Sequence, residues 1–232
     1  MISVIIPTYN EQGVVGRTIR RIHANDSKKL VREIIVVDGS SSDGTVKEAE
    51  RAGATVIRGA RKGRACQMNE GAMHASAEIL YFVHADSTPP SGFSEHIKKA
   101  VEEGCVAGCF RLRFDVDHWV LKANAWFTRF NVNAFRFGDQ SLFVTKDAFQ
   151  HQAGFREDHI VMEDQEIVTR LRRTGIFKII PEEIVTSSRK YVDNGVYRMQ
   201  GIFFLIYFMY RFGYPQERLV RTYKRLISQD KV

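Results

Sequence analysis

The 232-residue chain is 44% hydrophobic and 26% charged, which excludes a disordered, a collagen-like or a disulfide-scaffold protein and favours one large domain. Thirty-four Lys and Arg against 27 Asp and Glu give a formal net charge of +7, so we expect an anionic partner such as a nucleotide, a nucleic acid or a membrane. The three cysteines, at positions 66, 105 and 109, form neither a disulfide framework nor a zinc spacing, and we expect a cytoplasmic protein.

The first half of the chain alternates short β-branched runs with segments of helical spacing. We predict strands at residues 3–6, 34–37, 54–57 and 79–83, and helices at residues 11–23, 45–52 and 64–76. Near-continuous apolar strands separated by helices are typical of a parallel sheet that is buried on both faces. The pattern therefore predicts an α/β domain with a central, mostly parallel sheet flanked by helices.

The second half is less regular. We predict a helix at residues 92–103, strands at 105–114, 141–144 and 177–180, a helix at 163–173, and two further helices between 193 and 229. An aromatic-rich stretch runs from Trp119 to Phe137. The longest apolar run, residues 202–210, has nine residues, whereas a membrane-spanning helix needs about 20. We find no linker or internal repeat and expect one domain with a C-terminal helical extension.

Polar side chains follow three strands of the predicted sheet. Thr8 to Glu11 come after the first strand, Asp38 after the second, and His84 and Asp86 after the fourth. Ligands of open parallel sheets bind outside the carboxyl ends of the strands, so this pattern predicts a binding site. The alternative for Asp38 is that it caps a turn.

Two common nucleotide motifs are absent or incomplete. Residues 39–44 have the glycine spacing of a phosphate-binding loop, but Thr45 and Val46 follow where the motif requires Lys and Ser or Thr. No G-x-G-x-x-G is present, which argues against a dinucleotide dehydrogenase. The basic residues are scattered without a recognised binding motif, so no nucleic acid partner is expected.

Six motifs, in this order, resemble glycosyltransferase family 2. They are VIIPTYNE (4–11), VVDGSSSDGT (36–45), RKGRACQMNEG (61–71), HAD (84–86), GDQ (138–140) and MEDQEIVTRLRRTG (162–175). The segment SSRKYVDNGVYR (187–198) and the helices after it resemble a bacterial subgroup associated with arsenosugar biosynthesis.

The resemblance implies a GT-A fold and a nucleotide-diphospho-sugar donor, with a UDP-sugar as the first expectation. The residues that it assigns to nucleotide binding are Pro7, Thr8, Tyr9, Glu11, Asp38, Arg64 and Ala85, with Lys62 beside them. For the basic loop at 61–64, the alternative is an ordinary solvated charge run.

The resemblance further implies that Asp86 binds a divalent cation, Mn²⁺ or Mg²⁺, which neutralises the diphosphate leaving group. Many relatives carry D-x-D at this point, but here His84 occupies the first position. Imidazole suits Mn²⁺ better than Mg²⁺. The alternative is that His84 only forms hydrogen bonds, and we therefore leave it out of the metal set.

For catalysis, the resemblance assigns Glu163 and Asp164, with Asp164 as the base of an inverting single displacement. The alternative is that both acids only complement the dipole of the helix that they begin. Asp139 and Gln140 are assigned to the acceptor or to the sugar hydroxyls. The aromatic stretch is either an acceptor-binding wall or the packing face of a short helix.

These assignments divide the single domain into a nucleotide-sugar half (1–115), an acceptor and catalytic half (116–190) and C-terminal helices (191–232). We expect the acceptor to be a small molecule or to be lipid-linked. The apolar run and the basic residues after it fit a core helix or a homodimer interface, or peripheral contact with the inner face of a membrane. A degenerate sugar-nucleotide-binding protein and a sugar-nucleotide pyrophosphorylase are the alternative functions.

Overall fold

The computed structural model describes residues 1–135 and 138–227. The strands of these residues are β1 (Ile2–Thr8), β2 (Val31–Asp38), β3 (Thr55–Arg58), β4 (Ile79–Phe82), β5 (Ser87–Thr88), β6 (Cys105–Phe114), β7 (Leu142–Thr145) and β8 (Ile176–Thr186). The helices are α1 (Val15–Asn25), α2 (Thr45–Arg51), α3 (Arg64–His74), α4 (Phe93–Glu102), α5 (Trp119–Phe127), α6 (Lys146–His151), α7 (Glu163–Leu171), α8 (Arg189–Asn194), α9 (Val196–Arg211) and α10 (Gln216–Leu226). The described strands form one sheet of order β3-β2-β1-β4-β7-β6-β8-β5.

The N-terminal half of the sheet is parallel, as the sequence predicts. β1 lies between β2 and β4, and β3 pairs with the outer edge of β2. All seven residues of β1 are buried, because α1 covers one face of the sheet with Val15, Ile19 and Ile22 and α3 covers the other. The approach of α3 is close: a Cβ on Gly71 would lie 2.5 Å from Cγ2 of Ile5.

The C-terminal half of the sheet is mixed. β7 pairs antiparallel with both β4 and β6, whereas β8 runs parallel to β6. β8 has 11 residues, more than the apolar run at 177–180 predicts. The sequence Pro181-Glu182-Glu183 interrupts the apolar pattern, so the second part of β8 is not evident from the sequence. The β6–β8 register shifts between Phe110 and Arg111, and this bulge accommodates the interrupting residues.

The topology brings the segments that follow β1, β2, β4 and β8 to the same edge of the sheet. β1, β2, β4 and β8 all run in the same direction, so their carboxyl ends meet there. β7 runs the opposite way and therefore begins at that edge, with Leu142 paired to Phe82. The GDQ segment, which precedes β7, is thus brought beside the residues that come after β4.

The two helices predicted between residues 193 and 229 are present as α9 and α10, and the short helix α8 precedes them. Gly195, with φ of +84°, separates α8 from α9. The apolar run of α9 is divided: Ile202 and Ile206 join the core, but Phe204 and Phe208 are exposed. No described helix has the length and apolar character required to cross a membrane.

Close packing of β6 between its neighbours gives a stability prediction. A Cβ on Gly108 would collide with the Lys178 carbonyl oxygen of β8 and the Phe143 ring of β7. We expect Gly108→Ala to lower the free energy of unfolding by about 2 kcal/mol or more, as overpacking does. Urea denaturation measures this change.

Gly201→Ala is the matched control, because nothing lies within 4 Å of the added Cβ on helix α9. It should raise the free energy of unfolding by about 0.5–1 kcal/mol. A Gly108→Ala variant as stable as the wild type would contradict the described packing of β6.

Candidate active site

A cavity of about 480 Å³ lies at the sheet edge where β1, β4 and β8 end. Ten of the residues assigned from the sequence line it: Pro7, Thr8, Tyr9, Glu11, Arg64, Ala85, Asp86, Asp139, Glu163 and Asp164. Asp38 and Gln140 are not among its lining residues. Residues of α8, α9 and α10 complete the wall that faces the sheet edge.

The segments after β1 and β2 hold each other in place. The backbone N–H of Asn10 donates to Oγ of Ser41 at 2.8 Å, and that of Glu11 donates to Oγ1 of Thr45 at 2.7 Å. Asp38 accepts a hydrogen bond from the Ser41 backbone N–H at 2.9 Å. Asp38 therefore caps the turn that follows it, in agreement with the alternative to a binding role that the sequence offered.

Arg64 is the first residue of α3, directly after Gly63 at φ +119°. Its Nη1 lies 3.3 Å from Oε1 of Glu163 and 3.4 Å from Nε2 of His84. The charge of Glu163 raises the pKa of the Arg64 guanidinium although burial opposes it. The cation predicted as a diphosphate ligand is thus already neutralising a carboxylate inside the protein.

His84 is held at both ring nitrogens. Nδ1 lies 3.0 Å from Oδ1 of Asp139, and because a carboxylate only accepts, Nδ1 carries the proton. Burial acts to raise the pKa of Asp139, but the hydrogen bond and charge of His84, with Lys190 and Arg64, outweigh it and hold that pKa below its usual value. The residue that replaces the first acid of D-x-D is therefore an anchor for Asp139.

The turn that carries Asp139 fits tightly between His84 on one side and Asp164 on the other. A Cβ on Gly138 would lie 2.9 Å from Oδ2 of Asp164 and 3.0 Å from Nε2 of His84. Gln140, assigned to the acceptor from the sequence, is buried and donates from Nε2 to the Phe110 carbonyl at 3.1 Å. The structure thus places Gln140 under the turn as an anchor, rather than on the cavity wall.

The two acids that begin α7 differ in their surroundings. Glu163 is 3% exposed and faces Arg64, but its Oε1 has no hydrogen-bond partner. Burial, helped by the charge of Glu163 and opposed by Arg64, raises the pKa of Asp164 to about 6. Glu163 is therefore the charge partner of Arg64, and Asp164 is the acid of the pair whose pKa is raised.

Asp86 is the carboxylate whose surroundings fit a cation. Burial raises its pKa, and although His84 and Arg189 act against this, the nearby carboxylates of Asp139 and Glu11 add to it. Among residues 1–135 and 138–227, no group of three or more His, Cys, Asp or Glu side chains forms a metal site. Mg²⁺ is commonly held by one or two carboxylates and substrate phosphates, so a single Asp fits that mode.

The sequence reasoning assigned no role to the basic pair after β8. Nη2 of Arg189 lies 3.2 Å from Oε2 of Glu11, and Nζ of Lys190 donates to the Tyr223 hydroxyl at 3.2 Å. Both line the cavity, as Lys62 and Lys224 do. The rule that polar residues after a parallel strand mark a site would have found them, had the full length of β8 been predicted.

The aromatic stretch contributes little to this cavity. Trp119, Trp126, Phe127 and Phe130 are exposed, and of the described residues of α5 only Asn124 lines the wall. Phe137 lies outside the described residues. The described aromatic residues therefore support a surface role rather than an acceptor-binding wall.

A known protein family matches the part of the chain that contains most of this site. Residues 3–161 match Glycosyl transferase family 2, and this span holds most of the cavity-lining residues assigned from the sequence. The chain belongs to glycosyl transferase family 2. The matched residues end before Ser187, so the arsenosugar-associated subgroup stays a prediction.

Similar proteins match over parts of the chain. Protein RfbJ of Shigella flexneri is 34% identical over 115 residues, 47% of this chain and 84% of RfbJ. The GalNAc(5)-diNAcBac-PP-undecaprenol beta-1,3-glucosyltransferase of Campylobacter jejuni is 32% identical over 110 residues, 44% of this chain. Those residues make up only 35% of the Campylobacter protein, and the match to Glycosyltransferase AglE of Haloferax volcanii makes up 31% of AglE.

A solved structure confirms the GT-A fold. The mannosyltransferase PcManGT from Pyrobaculum calidifontis, in complex with GDP-Man and Mn²⁺, superposes with a TM-score of 0.70 at 19% identity. The superposition covers 88% of this chain and 61% of PcManGT. At this identity the likeness establishes the fold.

The contrast between the two acids of α7 gives the next prediction. Glu163→Gln removes the charge partner of Arg64 and should lower the free energy of unfolding by about 1–2 kcal/mol. This loss is smaller than that for a fully buried ion pair, because Arg64 is partly exposed to solvent. Asp164→Asn should leave stability at pH 8 unchanged or raise it, because the folded-state pKa of Asp164 is raised and its ionisation there opposes folding. Chemical denaturation of both isosteric variants measures the difference. Equal losses in the two variants would contradict the separate roles.

Proposed function

We propose that this protein transfers a sugar from a nucleotide-diphospho-sugar to an acceptor hydroxyl, with inversion at the anomeric carbon. The observation that carries the proposal is Asp164, a carboxylate on the cavity wall whose pKa is raised to about 6. A general base works best when its pKa lies near the operating pH. Membership of glycosyl transferase family 2 supports the same reaction class.

The proposed step is a single displacement. The acceptor hydroxyl oxygen attacks the anomeric carbon, and its proton passes to the Asp164 carboxylate. The bond between the anomeric carbon and the diphosphate oxygen breaks, and its electron pair leaves with the nucleoside diphosphate. Attack opposite the leaving group inverts the configuration, and one base is sufficient for this reaction.

The donor would lie along the segments after β1 and β4. Pro7, Thr8 and Tyr9 line the wall there with Ala85, and Asp38, which fixes the neighbouring turn, stays the predicted contact of the base or ribose. Arg64 and Lys62, together with Arg189 and Lys190, supply positive charge for a diphosphate. We expect a UDP-sugar first.

Asp86 is proposed as the protein ligand of a divalent cation, Mn²⁺ or Mg²⁺, which when bound neutralises charge on the diphosphate. The pKa of Asp86, which is raised first by burial and then by the charges of Asp139 and Glu11, supports this, since a bound cation stabilises a buried carboxylate. His84 has both nitrogens engaged, to Asp139 and Arg64, and is proposed to orient Asp139 toward the sugar hydroxyls.

The acceptor is proposed to be a small molecule or a lipid-linked hydroxyl compound. The Campylobacter relative and several Salmonella relatives carry undecaprenol or undecaprenyl-phosphate in their names, and these names support a lipid-linked acceptor for this chain.

We also propose a cytoplasmic location, the division into halves at 1–115 and 116–190, and the arsenosugar-associated subgroup. The resemblance of residues 187–198 and of the helices after them supports that subgroup.

Asp164→Asn is the direct test of the base. The amide has the same shape but cannot accept the proton, so we expect the transfer rate to fall by about 10²- to 10⁴-fold, while binding of the nucleoside diphosphate stays within about twofold of the wild type. Single-turnover transfer and calorimetric binding measure the two. Near-normal turnover would remove Asp164 as the base; binding without any turnover in the wild type would favour a degenerate binding protein.

The pH profile tests the same residue independently. Because the base must be ionised, the rate should be constant above the pKa of Asp164, about 6, and fall about tenfold for each pH unit below it. The inflection should disappear from the residual activity of Asp164→Asn. An inflection retained in that variant would assign the titration to another group.

Asp86→Ala tests the cation. In a thermal-shift panel of UDP, GDP, dTDP and CDP with Mn²⁺, Mg²⁺ or EDTA, we expect one diphosphate to stabilise the wild type in a metal-dependent way, by about 2.7 kcal/mol at a hundredfold excess over its Kd. Asp86→Ala should lose the metal-dependent part. Asp117→Ala, which alters an exposed carboxylate outside the lining residues, is the control. Unchanged metal dependence in Asp86→Ala would contradict this ligand.

A further inference from the structure

Helix α9 carries an exposed apolar face on the side opposite its buried residues. The face consists of Tyr197, Gly201, Phe204, Leu205, Phe208 and Phe212, which we call the α9 face; all are exposed. They recur at intervals of three and four residues and so form one continuous stripe. Phe204 and Phe208 keep 53% and 54% of their surface in solvent.

Neighbouring aromatic residues extend the α9 face at both ends. Trp119 of α5 is exposed, and its Nε1 donates to the Tyr197 hydroxyl at 3.3 Å. At the other end Tyr214 is exposed, and the Arg218 guanidinium lies 4.6 Å from the centre of its ring. Monomeric proteins seldom expose so many large apolar side chains together unless they mark an interaction surface.

Basic side chains border the α9 face. Residues 189–227 contain eight Lys and Arg and two Asp and Glu, a net charge of +6 out of +7 for the whole chain. Arg198 and Arg211 border the face on either side of the helix, as a rotation of about 100° per residue places them. Three of the eight, Arg189, Lys190 and Lys224, line the cavity. Arg198, Arg211 and Arg218, in contrast, lie beside the exposed apolar side chains.

We propose that the α9 face docks on an anionic membrane surface. Phe and Leu side chains enter the boundary between headgroups and acyl chains, Trp and Tyr lie at the headgroup level, and flanking Arg side chains pair with anionic headgroups. A second copy of the chain is the less favourable occupant, because a two-fold interface would bring this face and its positive charge against itself.

The α9 face is also connected to the candidate active site. Gln200, Phe203 and Ile206 of the same helix line the cavity, so a membrane bound by one side of α9 would lie one helix diameter from the cavity wall. An acceptor held in that membrane would then lie beside the wall of the cavity that Asp164 also lines; this part of the inference rests on the proposed transferase function, whereas docking itself does not.

Vesicle flotation tests the docking. We expect wild-type protein to bind vesicles containing about one third phosphatidylglycerol at least about tenfold more tightly than vesicles of phosphatidylcholine alone, and to dissociate as salt is raised. Phe204→Gln with Phe208→Gln should weaken binding about tenfold or more. The matched control is Met73→Gln with Ile176→Gln, two exposed apolar residues outside the α9 face, which should bind as the wild type does.

Arg211→Gln with Arg218→Gln is the second variant pair and should reduce the preference for the anionic vesicles while leaving the apolar side chains in place. Melting temperatures confirm that each variant folds. Absence of wild-type binding, or binding unchanged by Phe204→Gln with Phe208→Gln, overturns the proposal. A wild-type dimer that this pair converts to a monomer also overturns it, in favour of a second copy.

Nucleoside diphosphate binding by the same samples separates the two proposals. Failed docking with intact nucleotide binding overturns only the membrane surface. Intact docking without nucleotide binding or transfer overturns only the proposed function.

Discussion

The candidate site depends on one guanidinium placed among carboxylates. Arg64 approaches Glu163 and His84 at 3.3 and 3.4 Å, and its charge also acts on Asp139 and Asp164. These groups come from α3, α7, the end of β4 and the turn before β7, which are far apart in the chain. A buried carboxylate is costly without a partner, so the position of Arg64 at the start of α3 limits how many acids this sheet edge can hold.

The arrangement also explains why adjacent acids behave differently. Glu163 takes the ion pair with Arg64, so Asp164 receives only part of that compensation and its pKa rises to about 6. Asp139 is compensated by His84 instead, and its pKa falls. Replacing an acid by His84 at the first position of the D-x-D pattern thus supplies a hydrogen-bond donor to Asp139. The remaining acid of the pattern, Asp86, has a pKa that burial and the charges of Asp139 and Glu11 raise, which suits a cation-binding role.

Local sequence patterns were sufficient for the parallel half of the fold. β1 is buried on both faces, so its run of apolar residues is continuous and its end at Thr8 is clear. The same reasoning placed Thr8 and Asp86 at one edge, since parallel strands share a direction. β8 was predicted too short because Pro181 and two glutamates interrupt its apolar pattern, and with it the basic pair Arg189 and Lys190 was missed.

Pairings between distant residues were not predictable in the same way. Nothing in the spacing of His84 and Asp139, or of Arg189 and Glu11, indicates that these side chains meet, because the mixed pairing of β7, β6 and β8 decides it. Gln140 shows the opposite case: its motif predicts a ligand contact, whereas its buried amide donates to the Phe110 carbonyl.

The apolar run of α9 shows a further limit, since composition alone does not say which side of a helix the core covers. Met199, Ile202 and Ile206 pack in the core, and Phe203 and Ile206 line the cavity. A helix with this many apolar residues has more than one face to cover, and the exposed face therefore has to be explained by something outside the fold.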